Sequence, residues 1–153
     1  MTERTLLADL PEGARLGLDS APVIYLIEQV SLYLPLVELL FYARLDSGLN
    51  RAVTSVVTLS EVLVKPTELG RLDLVERYRE RLSSNPSLEV VEITRRIAER
   101  AATLRATHRV RLPDAFQLAA AIEHGASHFI TNDKRLKSVS EIKVLVLEDY
   151  LAA

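Results

Sequence analysis

The sequence predicts a single α/β domain in which helices cover both faces of a mostly parallel sheet. Its 153 residues are the usual size of one domain, and no repeat, low-complexity tract or linker divides them. Five short segments are rich in β-branched and apolar residues, and pairs of helical segments separate the first four of them. Strands separated by helices imply parallel neighbours, because a parallel connection has to cross over the sheet.

The predicted strands are short, and polar residues or turns bound them. The first ends at Asp19 and Ser20. The second is a compact β-branched run, after which we expect a helix to open near Thr58 and to break at Pro66. The five predicted strands are residues 15–18, 52–57, 88–93, 128–131 and 143–147.

Helical periodicity fills the segments between these strands. Apolar residues recur at helical spacing after the first strand, where Pro22 and Pro35 suit first turns. Thr94 can cap a later helix, and Gly125 can end the last one. Further helices are predicted at residues 32–45, 69–82 and 115–124.

Composition excludes several classes of site. Without any cysteine there is neither a disulfide framework nor a thiolate metal site, which suits a reducing compartment. A net charge of -2 argues against binding nucleic acid by bulk electrostatics. With five glycines the chain contains neither a Gly-x-Gly-x-x-Gly fingerprint nor a P-loop.

The amino terminus indicates neither export nor membrane insertion. Residues 1–14 are expected to be an N-terminal tail that precedes a domain of residues 15–153, and they lack the apolar core of a signal peptide. The most apolar stretch, residues 32–43, is short and is interrupted by Pro35 and Glu38. We therefore expect a cytoplasmic protein that does not bind membranes.

Four acids stand where the functional crevice of this fold class is expected. In open α/β sheets the crevice lies beyond the carboxyl ends of the strands. Asp19, Glu61 and Asp133 each follow a predicted strand closely. Asp114 begins a late helix directly after Pro113. We therefore expect these four carboxylates to share one small volume.

Each acid alone also has a purely structural explanation, as a cap or a first-turn residue of a helix. Their combination points to metal binding. Four carboxylates about 6 Å apart would repel one another by about 17 kcal/mol at an effective dielectric of about 20. Because that rivals a whole folding free energy of about 5 to 15 kcal/mol, the cluster calls for a bound cation. Oxygen-only ligands favour Mg²⁺ or Mn²⁺ over Zn²⁺.

The segments that carry these acids resemble the motifs of the PIN-domain nucleases, and among these the VapC-type toxins of prokaryotic toxin–antitoxin pairs. The matching segments are Leu18-Asp19-Ser20, Thr58-Leu59-Ser60-Glu61-Val62, Leu112-Pro113-Asp114-Ala115-Phe116-Gln117-Leu118-Ala119-Ala120-Ala121 and Ile130-Thr131-Asn132-Asp133-Lys134-Arg135-Leu136. Each is weakly specific alone, but their order and context across the chain are much more specific.

This resemblance implies a PIN-like three-layer α/β/α fold with a central, mostly parallel five-stranded sheet. It also implies a metal-dependent endoribonuclease that leaves a 5′-phosphate and a 3′-hydroxyl. The metal-ligand and catalytic roles pass to Asp19, Glu61, Asp114 and Asp133. Thr131 takes a supporting role, and Ser20 and Asn132 are weaker supporting candidates. The implied partners are an RNA substrate, a cognate antitoxin and a second copy of the chain.

Cations near the acids are candidate contacts for RNA phosphate. Lys134, Arg135 and Lys137 adjoin Asp133, so we prefer them for this role. The arginines between residues 95 and 111 scatter around a helix axis, which favours a solvated face. None of the three histidines offers a competing catalytic mechanism of equal quality.

Two rival functions stay open at the level of sequence. One is a non-catalytic PIN-like module that binds RNA or protein, in which the acids support no turnover. The other is a phosphoryl-transfer domain of receiver or haloacid-dehalogenase type. Against the latter, Asp19-Ser20-Ala21 lacks the second aspartate that those phosphatases use. The RNA target and the number of metal ions, one or two, are left open.

Overall fold

A computed structural model describes residues 5–151 and contains one sheet of five parallel strands. The strands are β1 (Arg15–Leu18), β2 (Arg51–Ser55), β3 (Leu88–Val91), β4 (His128–Thr131) and β5 (Lys143–Val146). Their spatial order is β3-β2-β1-β4-β5, and every neighbouring pair is parallel. The chain builds the sheet outward from β1 to β3 and then continues on the other side of β1 with β4. The topological switch point therefore lies between β1 and β4, where ligand crevices form in such sheets.

Helices and short helical turns connect the strands. The α-helices are α1 (Ser20–Ile27), α2 (Leu34–Glu38), α3 (Val56–Glu68), α4 (Leu72–Ser84), α5 (Arg95–His108) and α6 (Leu112–Glu123). A π-helical segment, Leu39–Leu45, continues α2, and 3₁₀ turns occupy Leu7–Asp9, Lys134–Ser138 and Leu147–Tyr150. In the part of the chain that the structure describes, no helix has the length and apolar character needed to cross a membrane.

Two apolar clusters, one on each face of the sheet, give the three-layer α/β/α arrangement that was predicted. Helices α1 to α4 pack in one cluster, and α5 and α6 pack in the other. Neighbouring residues of one strand divide between them: Ala52 of β2 belongs to the first cluster, and Val53 to the second. This alternation follows from the period of two of a β-strand.

Two predicted boundaries, the end of β2 and the end of α3, were wrong. The second strand ends at Ser55 rather than at residue 57, because the Ser55 hydroxyl accepts a hydrogen bond of 3.1 Å from Val57 N and caps α3. The helix therefore starts at Val56, before Thr58. Pro66 does not break α3, which continues to Glu68. A proline this close to a helix end removes one backbone bond without stopping the last turn.

The part of the predicted N-terminal tail that the structure describes packs against the domain. Leu6 and Leu10 are buried in the first apolar cluster. The buried Arg44 guanidinium donates hydrogen bonds of 3.0 Å to Leu7 O and 2.8 Å to Leu10 O. From Leu6 onward this segment contributes to the core, so it does not behave as a tail there.

Candidate active site

Asp19 lies at the switch point, directly after β1, and is the N-cap of α1. Its Oδ1 accepts a hydrogen bond of 2.8 Å from Ser20 N, and its Oδ2 accepts one of 2.7 Å from Thr131 Oγ1. Burial raises the pKa of this carboxyl above its ordinary value, and the charges of Asp114 and Asp133 raise it further, against the effect of the two hydrogen bonds. Asp19 is therefore held in place in an environment that disfavours its charge.

Thr131, the last residue of β4, connects two of the acids. It is fully buried, and its hydroxyl oxygen donates to Asp19 and accepts a hydrogen bond of 3.1 Å from Asp133 N. One hydroxyl thus fixes the Asp19 side chain relative to the backbone of Asp133. Thr131 therefore links two of the predicted site acids, and its supporting role stays a prediction.

Asp114 lies in the first turn of α6, and its side chain is largely buried. The helix starts at Leu112 with Pro113 in its first turn, so Asp114 sits where the helix dipole favours a negative charge. Its Oδ2 accepts a hydrogen bond of 3.2 Å from Arg111 Nε, whose side chain is 63% exposed. Asp114 therefore pairs with one solvated cation, Arg111.

Glu61 approaches from α3, in its second turn, and is exposed to solvent. Partial loss of hydration raises the pKa of its carboxyl above the ordinary value, and the charges of Asp19 and Asp114 add to that rise. Gln117 and Arg111 act in the opposite direction. The pKa of Glu61 therefore responds to the charges of Asp19 and Asp114, which lie on other elements of the fold.

Asp133 is the N-cap of the 3₁₀ turn Lys134–Ser138. Its carboxylate accepts hydrogen bonds from Arg135 N at 3.0 Å and from the Arg135 guanidinium at 2.7 Å. Arg135 lowers the pKa of Asp133 below its ordinary value despite partial burial. Asp133 is thus turned toward a neighbouring cation, although its charge still acts on Asp19.

The four acids interact through their charges, but they do not form a closed cage. Among residues 5–151, no three or more histidine and acidic side chains are placed so that they could hold a metal ion together. Mg²⁺ does not need such a cage, because it keeps several waters and binds through one or two carboxylates plus substrate phosphates. The donor set is entirely oxygen. These residues therefore fit a water-rich magnesium site rather than an all-protein one.

The weaker supporting candidates have different surroundings. Ser20 contributes its backbone N–H to Asp19. The Asn132 side chain donates to Tyr25 Oη at 2.9 Å and accepts from Glu148 N at 2.9 Å. Asn132 therefore ties the loop after β4 to α1 and to the last 3₁₀ turn, and both polar groups of its amide are used there.

The cations predicted to contact phosphate all lie in exposed ion pairs with acids of the chain. Lys134 Nζ is 3.1 Å from Glu148 Oε2, and Arg135 Nη2 is 2.7 Å from Asp133 Oδ2. Lys137 pairs with Asp149. An incoming phosphate would have to displace these carboxylates, as it would have to displace Asp114 from Arg111, and the role of this group stays a prediction.

Sequence reasoning missed a buried polar network below the acids. Gln117 of α6 is 2% exposed, and its amide pairs with the side chains of Ser55 and Thr58. Thr54 extends the network to the backbone of β1. One signal was present: Gln117 is the single polar residue in an otherwise apolar run, 115–122, and lies one helical turn after Asp114.

Arg111 is solvated, as predicted for the arginines of this segment, but it also pairs with Asp114, a contact that the sequence analysis did not predict. Its charge opposes the rise in the pKa of Glu61 and adds to the fall in the pKa of Asp133, which Arg135 mainly causes. Arg111 is therefore a cation of the acidic site itself. The signal in the sequence was its position three residues before Asp114 at a helix start.

Comparisons with known proteins agree with this architecture. The family profile of the PIN domain matches residues 18–142. A toxin–antitoxin complex from Klebsiella pneumoniae contains a chain that is 25% identical, with a TM-score of 0.66 and coverage of 88% of this chain and 98% of that one. No curated protein matches the chain.

Two further solved structures share the fold at lower identity. VapBC2 from Rickettsia felis, bound to a DNA fragment from its promoter, is 14% identical with a TM-score of 0.67, covering 86% of this chain and 98% of that one. The sarcin–ricin loop cleaving toxin VapC20 of Mycobacterium tuberculosis is 13% identical with a TM-score of 0.61, covering 76% and 87%.

Proposed function

The chain belongs to the PIN domain family, and on this premise we propose that it is a metal-dependent endoribonuclease, the toxin of a type II toxin–antitoxin pair. The observation that carries the proposal is the position of the acids around the switch point, where Asp19 is held between Ser20 N and Thr131 and lies close enough to other acids to respond to their charges. Burial is the main cause that raises the pKa values of Asp19 and Glu61; the charges of Asp114 and Asp133 add to the rise at Asp19, and those of Asp19 and Asp114 add to it at Glu61. Such coupled, perturbed carboxylates are typical of a functional site rather than of helix caps.

In the proposed site Asp19 and Asp114 would hold the first Mg²⁺ or Mn²⁺ ion directly. Glu61 and Asp133 would hold a second ion or orient the attacking water. A bound divalent ion supplies an activated water, charge neutralisation on the phosphate and stabilisation of the departing oxygen. No side-chain nucleophile is needed for hydrolysis that leaves a 5′-phosphate and a 3′-hydroxyl.

The chain's own residues position these groups. Thr131 holds Oδ2 of Asp19, and Ser20 N holds Oδ1, so the carboxylate cannot rotate freely. Glu61 is exposed to solvent on α3, and in this proposal it would orient a water. Arg111 is solvated and next to Asp114, and in this proposal it would contact a phosphate of the RNA.

The proposed partners are an RNA substrate, a cognate antitoxin and a second copy of the chain, in the cytoplasm. The related structures described as VapBC complexes support an antitoxin partner. The pair of Arg111 with Asp114 indicates that a guanidinium fits beside the acids. We therefore propose that a basic side chain of the antitoxin inhibits the site by occupying it in place of metal.

A second candidate function is a non-catalytic module that binds RNA or protein. Two observations favour it: Asp114 and Asp133 each have an arginine partner, and the described acids form no ready-made metal cage. In that case the ion pairs are permanent, and the site would bind RNA without turnover.

Metal removal separates these two functions. We expect the purified chain to cleave RNA with Mg²⁺ or Mn²⁺, to stop in EDTA and to recover when metal is restored in excess. Cleavage is followed on denaturing gels with end-labelled RNA, and phosphatase sensitivity identifies the 5′-phosphate. The matched control is the Asp19→Asn/Asp114→Asn double variant, purified identically, which exposes contaminating nucleases. Cleavage that resists EDTA, or RNA binding without cleavage in either metal, would contradict the nuclease assignment.

Arg111→Ala is expected to raise KM for RNA about tenfold, which corresponds to about 1.4 kcal/mol, with a smaller change in kcat. The physical reason is the loss of one phosphate contact. Arg79→Ala is the matched control, because Arg79 is similarly exposed (59% against 63%) and also pairs with an acid three residues away. Steady-state kinetics at two salt concentrations measure the effect. Equal KM values for the two variants would remove Arg111 from the RNA contact.

A further inference from the structure

A continuous chain of hydrogen bonds runs below the acids. Gln117 Nε2 donates to Thr58 Oγ1, and the hydroxyls of Thr58 and Thr54 are 2.8 Å apart. Thr54 donates its only hydroxyl proton to Leu18 O at 2.9 Å, so it must accept from Thr58. The chain therefore has one direction, from the amide of α6 to the backbone carbonyl of β1.

A second branch satisfies the other end of the same amide. Ser55 donates its hydroxyl proton to Gln117 Oε1 at 2.7 Å, while Ser55 Oγ accepts from Val57 N. Gln117, Thr54, Ser55 and Thr58 are all at most 2% exposed. An amide buried this deeply is costly unless both its ends are paired, and here both ends are.

The network contacts elements that carry or adjoin three of the acids, Asp19, Glu61 and Asp114. Leu18 is the last residue of β1 and directly precedes Asp19. Thr58 lies one turn before Glu61 on α3, and Gln117 lies one turn after Asp114 on α6. Residues three apart on a helix share a face, so each end of the network lies next to an acid.

We propose that Gln117 is a positioning residue of the acidic site: by pairing with Ser55 and Thr58 it fixes α6, which carries Asp114, against α3, which carries Glu61. This inference rests on the proposed function. A buried leucine would fill the same space but would set no register, because dispersion contacts tolerate sliding that a two-ended amide does not. The amide must accept from Ser55 and donate to Thr58 at once, so it fixes both distance and rotation between the helices.

Gln117→Met tests the proposal, because it keeps the volume and removes both hydrogen bonds. We expect Mn²⁺ binding to the purified chain, measured by titration calorimetry, to weaken at least about tenfold, as is typical when residues that orient metal ligands are removed. We also expect kcat for RNA cleavage to fall with little change in KM. If Gln117→Met does not fold, Thr58→Val replaces it in the test, because it removes one hydrogen-bond partner of Gln117 at nearly constant volume. We expect Thr58→Val to weaken Mn²⁺ binding and to lower kcat in the same direction.

Leu104→Ala is the matched control for stability alone. Leu104 of α5 is buried in the same apolar cluster as α6 but is not part of the network. The Leu104→Ala variant should lower the melting temperature at least as much as Gln117→Met does and leave Mn²⁺ affinity unchanged. Unchanged Mn²⁺ affinity and kcat in Gln117→Met, beside a wild-type chain that binds and cleaves, would overturn the positioning role alone. A wild-type chain that binds no Mn²⁺ and cuts no RNA would overturn the proposed function, and this inference with it.

Discussion

Asp19→Asn and Asp114→Asn are each expected to lower kcat for RNA cleavage by at least about a thousandfold, which corresponds to about 4 kcal/mol of lost transition-state stabilisation. Both substitutions keep the shape of the side chain and remove the charge that would hold the metal. Initial rates at saturating Mg²⁺ measure the effect, and Mn²⁺ titration should show weakened binding in parallel. Cleavage by the double variant at the wild-type rate would refute the assignment of these two residues.

The melting temperature of Asp19→Asn tests whether its loss of activity comes from loss of the fold. Burial raises the pKa of Asp19 in the folded chain, so the unfolded chain loses this proton at lower pH than the folded chain does. The contribution of Asp19 to stability therefore falls as pH rises from the ordinary aspartate pKa, about 3.9, to the raised folded value, and stays low above it. Near neutrality in EDTA, Asp19→Asn should melt at the wild-type temperature or above it.

Asp73→Asn is the matched control for losing one negative charge. Asp73 lies in the first turn of α4 and pairs with Arg71 on the surface, at 2.9 Å. Surface ion pairs of this kind contribute little to stability, because solvent screens them, so neither stability nor cleavage should change noticeably. A melting temperature for Asp19→Asn well below that of Asp73→Asn would show that the Asp19 carboxylate stabilises the fold instead.

The element order of the fold could be predicted because it depends on local pattern. Alternating strands and helix pairs force parallel neighbours, whatever the detailed packing. The boundary between β2 and α3 was misplaced because Val56 and Val57 are β-branched, and the capping hydroxyl of Ser55 outweighs that weak preference. The spatial order β3-β2-β1-β4-β5 was not predicted, since it depends on which strand edges the later helices cover.

In the candidate site, too, some features could be predicted from the sequence and others could not. Asp19 and Asp133 could be located from sequence because a residue just after a parallel strand must lie at the carboxyl edge of the sheet. The spacing placed Arg111 and Arg135 near an acid, but their contacts with Asp114 and Asp133 could not be predicted, since those contacts depend on side-chain rotamers. Gln117 was missed for a different reason: its partners, Ser55 and Thr58, are about sixty residues away, and no local pattern links them.

Gly17→Val is expected to have the largest effect on stability. Gly17 lies in the middle of β1, paired with Val53 and Phe129. A Cβ added there would stand 2.5 Å from Ala121 Cβ and 2.9 Å from Phe129 Cδ1, both closer than real contacts allow. Helix α6 packs directly on β1 because this position has no side chain. Gly17→Ala should cost about 1 to 3 kcal/mol, and Gly17→Val more, lowering the melting temperature by about 2 to 4 °C per kcal/mol.

A double-mutant cycle with Ala121→Gly distinguishes this contact from a general effect of altering the strand. Ala121→Gly alone should destabilise the chain by about 1 kcal/mol, because glycine weakens a helix interior. In the Gly17→Ala background it should instead restore stability, because it removes the nearest clashing atom, so the two changes should be non-additive by about 1 kcal/mol or more. Thermal and urea unfolding measure all four chains, and strictly additive values would rule out the contact. The same clash pushes α6 away from β1, so Gly17→Ala should also weaken Mn²⁺ binding through Asp114, and the Ala121→Gly change should recover part of that loss.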